Sequence, residues 1–262
     1  MKDLSPIQKQ RMDSAVSNMD SLIKQLSESE SFSGGLRFNQ QVLRASVIAE
    51  QFYCEKKIEM KQLFGRVETE SKQQGSEGHE SLLWNTVEVK RDEIFREIFS
   101  CAPVTVHEMS LIARYREVIL AGQPDAIMFK DGDPIALFEY KFSNSPYPYR
   151  SYHVQARVYG RILEAMGFDT SDLFYIIAVV PKTSRSDKKM FTKIIEAVKE
   201  NGAITSSLKV NDAHIYIFEY RKNDADRDID LALEYWKGKR IANTVDNINK
   251  CRNCEYKEKC YE

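Results

Sequence analysis

Three charged residues near the middle of the chain have the types and the spacing of a metal-assisted catalytic site. Asp125 ends the segment 122–125, which reads Gly-Gln-Pro-Asp, and Glu139 and Lys141 flank a tyrosine further on. Side chains two apart on a strand share a face, so Glu139 and Lys141 would lie side by side. Carboxylates that hold Mg²⁺ or Mn²⁺ beside a lysine suit phosphodiester hydrolysis, because the metal supplies a nucleophilic water and both cations offset charge on the phosphate.

A turn between these groups predicts how they come together. Residues 131–134 read Asp-Gly-Asp-Pro, which is a strong turn sequence, and they separate strand patterns at 117–129 and 135–142. An antiparallel hairpin at this turn would bring Asp125 beside Glu139. The sequence therefore predicts that two strands carry the charged residues to one place.

The same residues also have a purely structural interpretation. Glu139 and Lys141 could form a salt bridge on a solvated sheet face, and Asp125 could cap a turn. Tyr140 would point to the opposite face, which leaves its backbone carbonyl able to approach a metal. The spacing alone leaves both interpretations open.

Flanking residues extend the pattern. Gln155 and Tyr159 lie four apart, which places them on one face of a helix, and His79 follows a loop that contains Gly75 and Gly78. The series of His, Gly-x-Pro-Asp, Glu-x-Lys and Gln-x-x-x-Tyr resembles the RecB-type PD-(D/E)XK nucleases, over about residues 44–262. This resemblance implies an α/β fold of the restriction-endonuclease type, a mixed central sheet flanked by helices.

The resemblance also implies a role for each residue of the series. Asp125, Glu139 and Lys141 would be the catalytic residues, and His79, Asp125, Glu139 and the Tyr140 carbonyl would ligate Mg²⁺ or Mn²⁺. The Gln-x-x-x-Tyr pair would position the substrate strand. The implied activity is metal-dependent exonuclease action on single-stranded DNA or DNA ends. A non-catalytic DNA-binding or adaptor subunit with the same fold is the alternative, and the complete catalytic set argues against it.

Three cysteines near the C-terminus have the spacing of metal ligands. Cys251-x2-Cys254-x5-Cys260 would supply three thiolates, and a four-coordinate site needs a fourth ligand from elsewhere in the chain. Cys54 and Cys101 are the remaining cysteines, and spacing alone does not choose between them. Thiolates of this kind can hold zinc or an iron–sulfur cluster, and unrelated free thiols are the simpler alternative.

One cysteine far from three C-terminal ones is similar to the iron–sulfur branch of the RecB-type nucleases. That branch includes the small CRISPR-associated exonucleases and nuclease domains of some helicase–nucleases. The resemblance implies a structural [4Fe–4S] cluster that joins Cys54 to Cys251, Cys254 and Cys260, the fifth cysteine being a buried small side chain. The short chain favours the CRISPR-associated type, which trims new spacers alongside CRISPR integration proteins. Glu55, where a proline is common in that type, also fits a free-standing repair enzyme.

Composition indicates an ordinary globular protein. The 262 residues are 42% hydrophobic and 29% charged, and no apolar run approaches the ~18 residues of a membrane span. The segment after Met1 lacks a signal-peptide core, so we expect a cytoplasmic protein with no membrane partner, whose cysteines serve metal ligation. The net charge of −1 gives no global attraction to nucleic acid.

Any DNA contact would therefore depend on local patches. Basic side chains can bind phosphates without reading sequence, and tyrosines after the catalytic strand could stack on unpaired bases. A solvated face and core packing are the respective alternatives. The basic residues are Lys56, Lys57, Lys61, Arg66, Lys182, Arg185, Lys188, Lys189 and Lys193, and the tyrosines are Tyr147, Tyr149 and Tyr152.

The order of elements predicts two parts. Residues 1–35 would be an N-terminal helical extension, either an outer layer of the core or a docking element, and residues 36–262 the nuclease domain. In the nuclease domain, helical patterns precede antiparallel strands and then alternate with strands, which predicts a mixed sheet with helices packed on it. The apolar residues with helical spacing in the extension are Met12, Val16, Met19, Ile23 and Leu26.

Overall fold

A computed structural model describes residues 4–28, 35–67, 90–100, 102–184, 187, 189–201, 206–245, 248–252 and 254–261. Several residues named in the sequence analysis lie outside the described residues. They are Gly75, Gly78, His79, Cys101, Arg185 and Lys188.

Helices and strands of the described chain follow one another as in an α/β fold. The strands are β1 (Val42–Arg44), β2 (Val104–His107), β3 (Leu111–Tyr115), β4 (Val118–Gly122), β5 (Ala126–Lys130), β6 (Asp133–Phe142), β7 (Phe174–Val180), β8 (Ser207–Val210) and β9 (Ala213–Glu219). The helices are α1 (Pro6–Glu28), α2 (Ala45–Gln51), α3 (Glu55–Phe64), α4 (Arg91–Ile98), α5 (Arg150–Ala165), α6 (Met190–Asn201), α7 (Lys222–Trp236), α8 (Ile248–Arg252) and α9 (Lys257–Tyr261). In the described ranges no helix has the length and apolar character needed to cross a bilayer.

The strands form a large and a small sheet. The large sheet has the order β2-β5-β6-β7-β9-β8, and the small sheet has the order β1-β4-β3. The pairs β6–β7 and β1–β4 are parallel, and the other pairs are antiparallel. Helices pack on both sheets. This architecture confirms the predicted mixed sheet with flanking helices.

Residues 104–115 and 117–129 each have the pattern of one strand, and each is divided between the two sheets, which the sequence did not predict. Residues 104–115 form β2 in the large sheet and β3 in the small sheet, with a break at Glu108, where φ is 48°. Residues 117–129 divide into β4 and β5 around Pro124, which cannot donate a ladder hydrogen bond. Asp125 consequently lies where the chain crosses from one sheet to the other.

The apolar spacing of residues 41–63 predicts a helix, and this prediction was wrong in part. The segment begins as strand β1, and its helical portion is interrupted between α2 and α3. Val42 pairs with Ile119 of β4, so tertiary pairing overrides the local apolar spacing. Strand β8, a short strand at the edge of the large sheet, was not predicted from the sequence.

Alternation along β6 separates the charged candidates from a buried aromatic cluster. Phe138 and Tyr140 are fully buried and face α6, where the Tyr140 ring lies 4.6 Å from the Phe191 ring. Glu139 and Lys141 face the opposite side, toward α5, as the strand period of two requires. One strand thus serves both the core and the candidate site.

Helix α1 packs against β3 and α4 as an outer layer of the main core. Its start is capped reciprocally, because the Gln8 amide donates to Ser5 Oγ at 3.3 Å and the Ser5 amide donates to Gln8 Oε1 at 2.8 Å. Met19 is buried as expected, whereas Ile23 is 45% exposed. Half-buried Leu22 lies closer to the core than Ile23.

Candidate active site

The hairpin of β5 and β6 brings Asp125 to the Glu-x-Lys segment. The strands pair antiparallel, with Ala126 opposite Phe138, and residues 131–132 form the turn. Oxygen Oδ2 of Asp125 accepts a hydrogen bond of 2.6 Å from the backbone amide of Tyr140. This bond holds the aspartate at the centre of the motif.

Glu139 and Lys141 form an ion pair on the inner face of β6. Lys141 Nζ lies 2.5 Å from Glu139 Oε1, and the exposed fractions of the two side chains are 20% and 2%. Burial disfavours the charged ammonium, but Glu139 and Asp125 outweigh that penalty and raise the pKa of Lys141. The lysine is therefore a cation at neutral pH.

A chain of hydrogen bonds links the lysine to helix α5. Lys141 Nζ donates to Gln155 Oε1 at 3.0 Å, and Gln155 Nε2 donates to the Tyr159 hydroxyl at 2.9 Å. The hydroxyl in turn donates to the Gln123 carbonyl at 3.2 Å. Burial and the nearby Glu139 raise the pKa of Tyr159, so this hydroxyl keeps its proton. Gln155 and Tyr159 of α5 thus connect Lys141 on β6 to the segment before Asp125.

Gly122 leaves room for the tyrosine in this chain of bonds. A Cβ atom at Gly122 would lie 2.3 Å from Cε1 of Tyr159 and 3.2 Å from the methyl group of Ala45. The ring therefore packs directly over the glycine backbone. This contact explains why the segment before Asp125 needs a residue without a side chain, which the motif spacing alone did not explain.

These residues line one cleft of about 860 Å³ between the two sheets. Asp125 and Glu139 are both buried and supply the oxygen ligands that Mg²⁺ prefers, and Glu108 lines the same cleft. In the described part of the chain, no three His, Cys, Asp or Glu side chains gather as a complete metal site. Two carboxylates fit part of a magnesium site, because Mg²⁺ keeps several waters as ligands.

The four candidate cluster ligands line a second cavity, of about 330 Å³. Cys54 lies just before α3, whereas Cys251, Cys254 and Cys260 lie in and between α8 and α9, and all four are free thiols. Burial raises the pKa of Cys54, and Cys254 and Cys260 raise it further. In the described ranges these thiols do not gather as a metal-binding group.

Glu55 is an anchor that the sequence did not reveal. It is 5% exposed, and Arg240 binds it through hydrogen bonds of 2.5 and 2.6 Å. The Asn243 amide and the Gln51 side chain also donate to it, each at 2.6 Å. These bonds fix the segment that leads to the C-terminal cysteines. Burial disfavours the charged carboxylate, but the four donated bonds outweigh this and lower the pKa of Glu55.

The basic patch after Cys54 is largely neutralised by acidic neighbours. Lys56, Lys57 and Lys61 form ion pairs with Glu59, Glu255 and Glu50 at 2.9, 3.1 and 2.9 Å. Arg66 lies apart from these three and lines the cleft with Asp125 and Glu139. The structure therefore divides a run of basic residues that the sequence analysis grouped together.

Of the tyrosines that follow β6, two are exposed and one lies beside Lys141. Tyr147 and Tyr149 are 69% and 51% exposed. The Tyr149 ring contacts Tyr152, whose ring centre lies 5.2 Å from Lys141 Nζ. Tyr152 and the exposed Tyr149 thus extend from Lys141 toward solvent.

Comparison with known proteins identifies the family of this chain. The PD-(D/E)XK nuclease superfamily profile matches residues 15–261, and no curated protein sequence matches. A solved structure titled "Crystal structure of SSO0001" is similar at 11% identity and a TM-score of 0.47, covering 96% of this chain and 94% of that chain. Because the family match spans nearly the whole described fold, the chain belongs to the PD-(D/E)XK nuclease superfamily.

Proposed function

We propose that this chain is a metal-dependent deoxyribonuclease that hydrolyses phosphodiester bonds of single-stranded DNA or DNA ends, as an exonuclease in CRISPR adaptation or DNA repair. The observation that carries the proposal is the connected set in one cleft, in which Asp125, Glu139 and Lys141 are joined to Gln155 and Tyr159. Superfamily membership supports a nuclease with DNA as substrate. The CRISPR role, with integration proteins as partners, has its support in the cysteine pattern.

Each side chain has a distinct task in this proposal. Asp125 and Glu139 would hold Mg²⁺ or Mn²⁺, with His79 and the Tyr140 carbonyl as further ligands. The bound metal would supply a nucleophilic water and offset charge on the phosphate. Lys141, oriented by its bonds to Glu139 and to the helix, would neutralise the attacked phosphate.

A cleavage assay on end-labelled single-stranded DNA with Mn²⁺ tests the catalytic proposal. Lys141→Ala and Asp125→Asn should each lower the rate by at least about 100-fold, because each removes charge that acts on the metal or the phosphate. Lys130→Ala and Asp131→Asn, both at the far end of the same hairpin, serve as matched controls. Wild-type rates in both site variants would reject the assignment. A wild-type protein that binds DNA without cleaving it would indicate the adaptor function.

We also propose that the four cysteines around the second cavity hold a [4Fe–4S] cluster, with zinc as the alternative metal. The support is that cysteines from both ends of the chain line the same cavity. Iron, acid-labile sulfide and zinc should be measured on protein purified without oxygen. Cys251→Ala should lose the metal and the brown colour, whereas Cys101→Ala should keep both. Colourless native protein with one zinc per chain would replace the cluster with a zinc site.

A further inference from the structure

Arg44 is a cleft residue that the proposed catalytic set does not use. It ends β1, where it pairs with Ala121 of β4, and it lines the same cleft as the carboxylates. Its chain neighbours Leu43 and Ala45 are 1% and 0% exposed, whereas Arg44 is exposed. Buried residues on both sides therefore fix the backbone and leave the guanidinium directed to solvent in the cleft.

The guanidinium of Arg44 forms no ion pair, hydrogen bond or ring contact with the residues that the structure describes. Many other arginines of the described chain are engaged by carboxylates, as Arg11, Arg157 and Arg240 are. A guanidinium keeps its charge at all ordinary pH values and presents five donors in a planar fork. Its donors in the cleft are therefore available to an anion from outside the chain.

Both sheets bring charged side chains into the cleft. Glu139 and Lys141 come from the large sheet and Asp125 from the crossing between the sheets, whereas Arg44 comes from the small sheet, with Arg66 further along the lining. Ala121, the β-partner of Arg44, is four residues before Asp125, which spans at most about 14 Å of chain. Phosphates on a stacked strand follow at about 3.4 Å intervals, so this span covers about four nucleotides.

We propose that Arg44 binds a phosphate group of the DNA strand, within about four nucleotides of the scissile bond, and so sets the position of the strand in the cleft. This inference rests on the proposed nuclease function. The planar fork matches two phosphate oxygens, a geometry that a lysine cannot reproduce. Arg44 is thus a substrate-binding residue, and it leaves the metal and the attacked phosphate to the catalytic set.

The test measures binding of a fluorescent single-stranded oligonucleotide by anisotropy in the non-cleaving Asp125→Asn background. Adding Arg44→Gln should weaken binding by about tenfold and reduce the salt slope by about 0.7, the value for one phosphate contact on single-stranded DNA. Arg44→Lys should restore the slope but only part of the affinity. Arg96→Gln, which removes an exposed arginine of α4 outside the cleft lining, should change neither quantity.

Oligonucleotides with a 5′-phosphate, a 3′-phosphate or hydroxyl ends identify which phosphate is bound. An equal loss with all three assigns Arg44 to an internal phosphodiester, and a loss confined to one phosphorylated end assigns it to that terminal phosphate. In cleavage assays, Arg44→Gln alone should raise KM and leave kcat close to the wild-type value. Unchanged affinity and salt slope in a variant that unfolds at the wild-type temperature would overturn the inference. Absence of cleavage by the wild-type protein would reject the nuclease proposal instead.

Discussion

The backbone amide of Tyr140 donates a hydrogen bond of 2.6 Å to Asp125, fifteen positions earlier in the chain. Tyr140 separates Glu139 from Lys141, so the bond joins the aspartate to the middle of the Glu-x-Lys motif. Because the amide belongs to a central strand, the carboxylate is held by the sheet and not by a mobile side chain. The tyrosine ring, buried on the other face, fixes the strand in turn.

The ion pair on β6 predicts how activity depends on pH. Glu139 helps to raise the pKa of Lys141, so Glu139→Gln should lower that pKa. The loss of activity at high pH should therefore begin at a lower pH in the variant than in the wild type. The rate at the optimum should also fall by about 100-fold, because a metal ligand is lost. Rate profiles from neutral to basic pH with saturating Mn²⁺ measure both effects. If activity at high pH falls at the same pH in Glu139→Gln and in the wild type, the proposed role of the ion pair is contradicted.

Removal of divalent cations should abolish cleavage and leave the fold in place. The two cleft carboxylates supply the proposed metal ligands, whereas the core around β6 is aromatic and aliphatic. A chelator should therefore stop the reaction, and added Mg²⁺ or Mn²⁺ should restore it. Circular dichroism before and after chelation provides the control. Full activity in the chelator would contradict metal-dependent hydrolysis.

Gly122→Ala should be destabilising through a single contact. The new methyl group would meet the Tyr159 ring at 2.3 Å, and overpacking of this kind costs about 1–3 kcal/mol in the free energy of unfolding. The displaced ring would also lose its bond to Gln155, so activity should fall as well. Denaturant unfolding measures the cost.

The double variant Gly122→Ala/Tyr159→Leu is the control for that contact. If the ring is the source of the clash, the two destabilisations should not add, since neighbouring substitutions that share one contact are coupled. Additive costs would show that the alanine acts elsewhere.

The Glu55 anchor predicts a pH-dependent stability. Its pKa is lowered in the folded state, so its contribution is present above the unfolded value of about 4.3 and is lost as pH falls through the folded value. Glu55→Gln should lower the free energy of unfolding at pH 7 by about 3 kcal/mol, because Arg240 loses its buried partner. The variant should also show a smaller loss of stability on acidification.

Denaturant titrations at several pH values between neutral and acidic test the anchor, with Glu200→Gln as an exposed control on α6. Iron content of the same preparations adds a second measurement. If the anchor holds the C-terminal segment near Cys54, metal incorporation should fall together with stability. Equal stability of wild type and Glu55→Gln would contradict the anchor.

His153 should stay neutral far below the pH at which a free histidine is protonated. Burial and the charge of Arg157 lower its pKa to about 4, against the opposing effect of Asp228. Its ring contacts Phe218 at 4.6 Å, and its Nδ1 lies 3.1 Å from the Tyr175 hydroxyl. Because the unfolded chain binds the proton first, this histidine reduces stability as pH falls from about 6.5 to about 4.

A titration of the imidazole resonances by NMR checks the pKa of His153 directly. His153→Gln should remove the corresponding part of the pH dependence of unfolding. A pKa near 6.5 would show that the ring is solvated in solution.

The amino-acid sequence determined the features that depend on local backbone periodicity. The spacing of Glu139 and Lys141 set a common face on a strand, and the spacing of Gln155 and Tyr159 set a common face on a helix. The turn at residues 131–132 likewise formed where the sequence predicted it. These relationships follow from residues within one element or one hairpin.

The relationships between distant segments were decided only by the tertiary structure. The parallel pairing of β1 with β4 brings Arg44 to the cleft, and the bonds between Glu55 and Arg240 join opposite ends of the chain. The placement of β2 and β3 in different sheets, and of β4 and β5 likewise, also depends on contacts between distant segments. Such contacts depend on closing long loops and on packing whole layers together, and neither is encoded in local propensity.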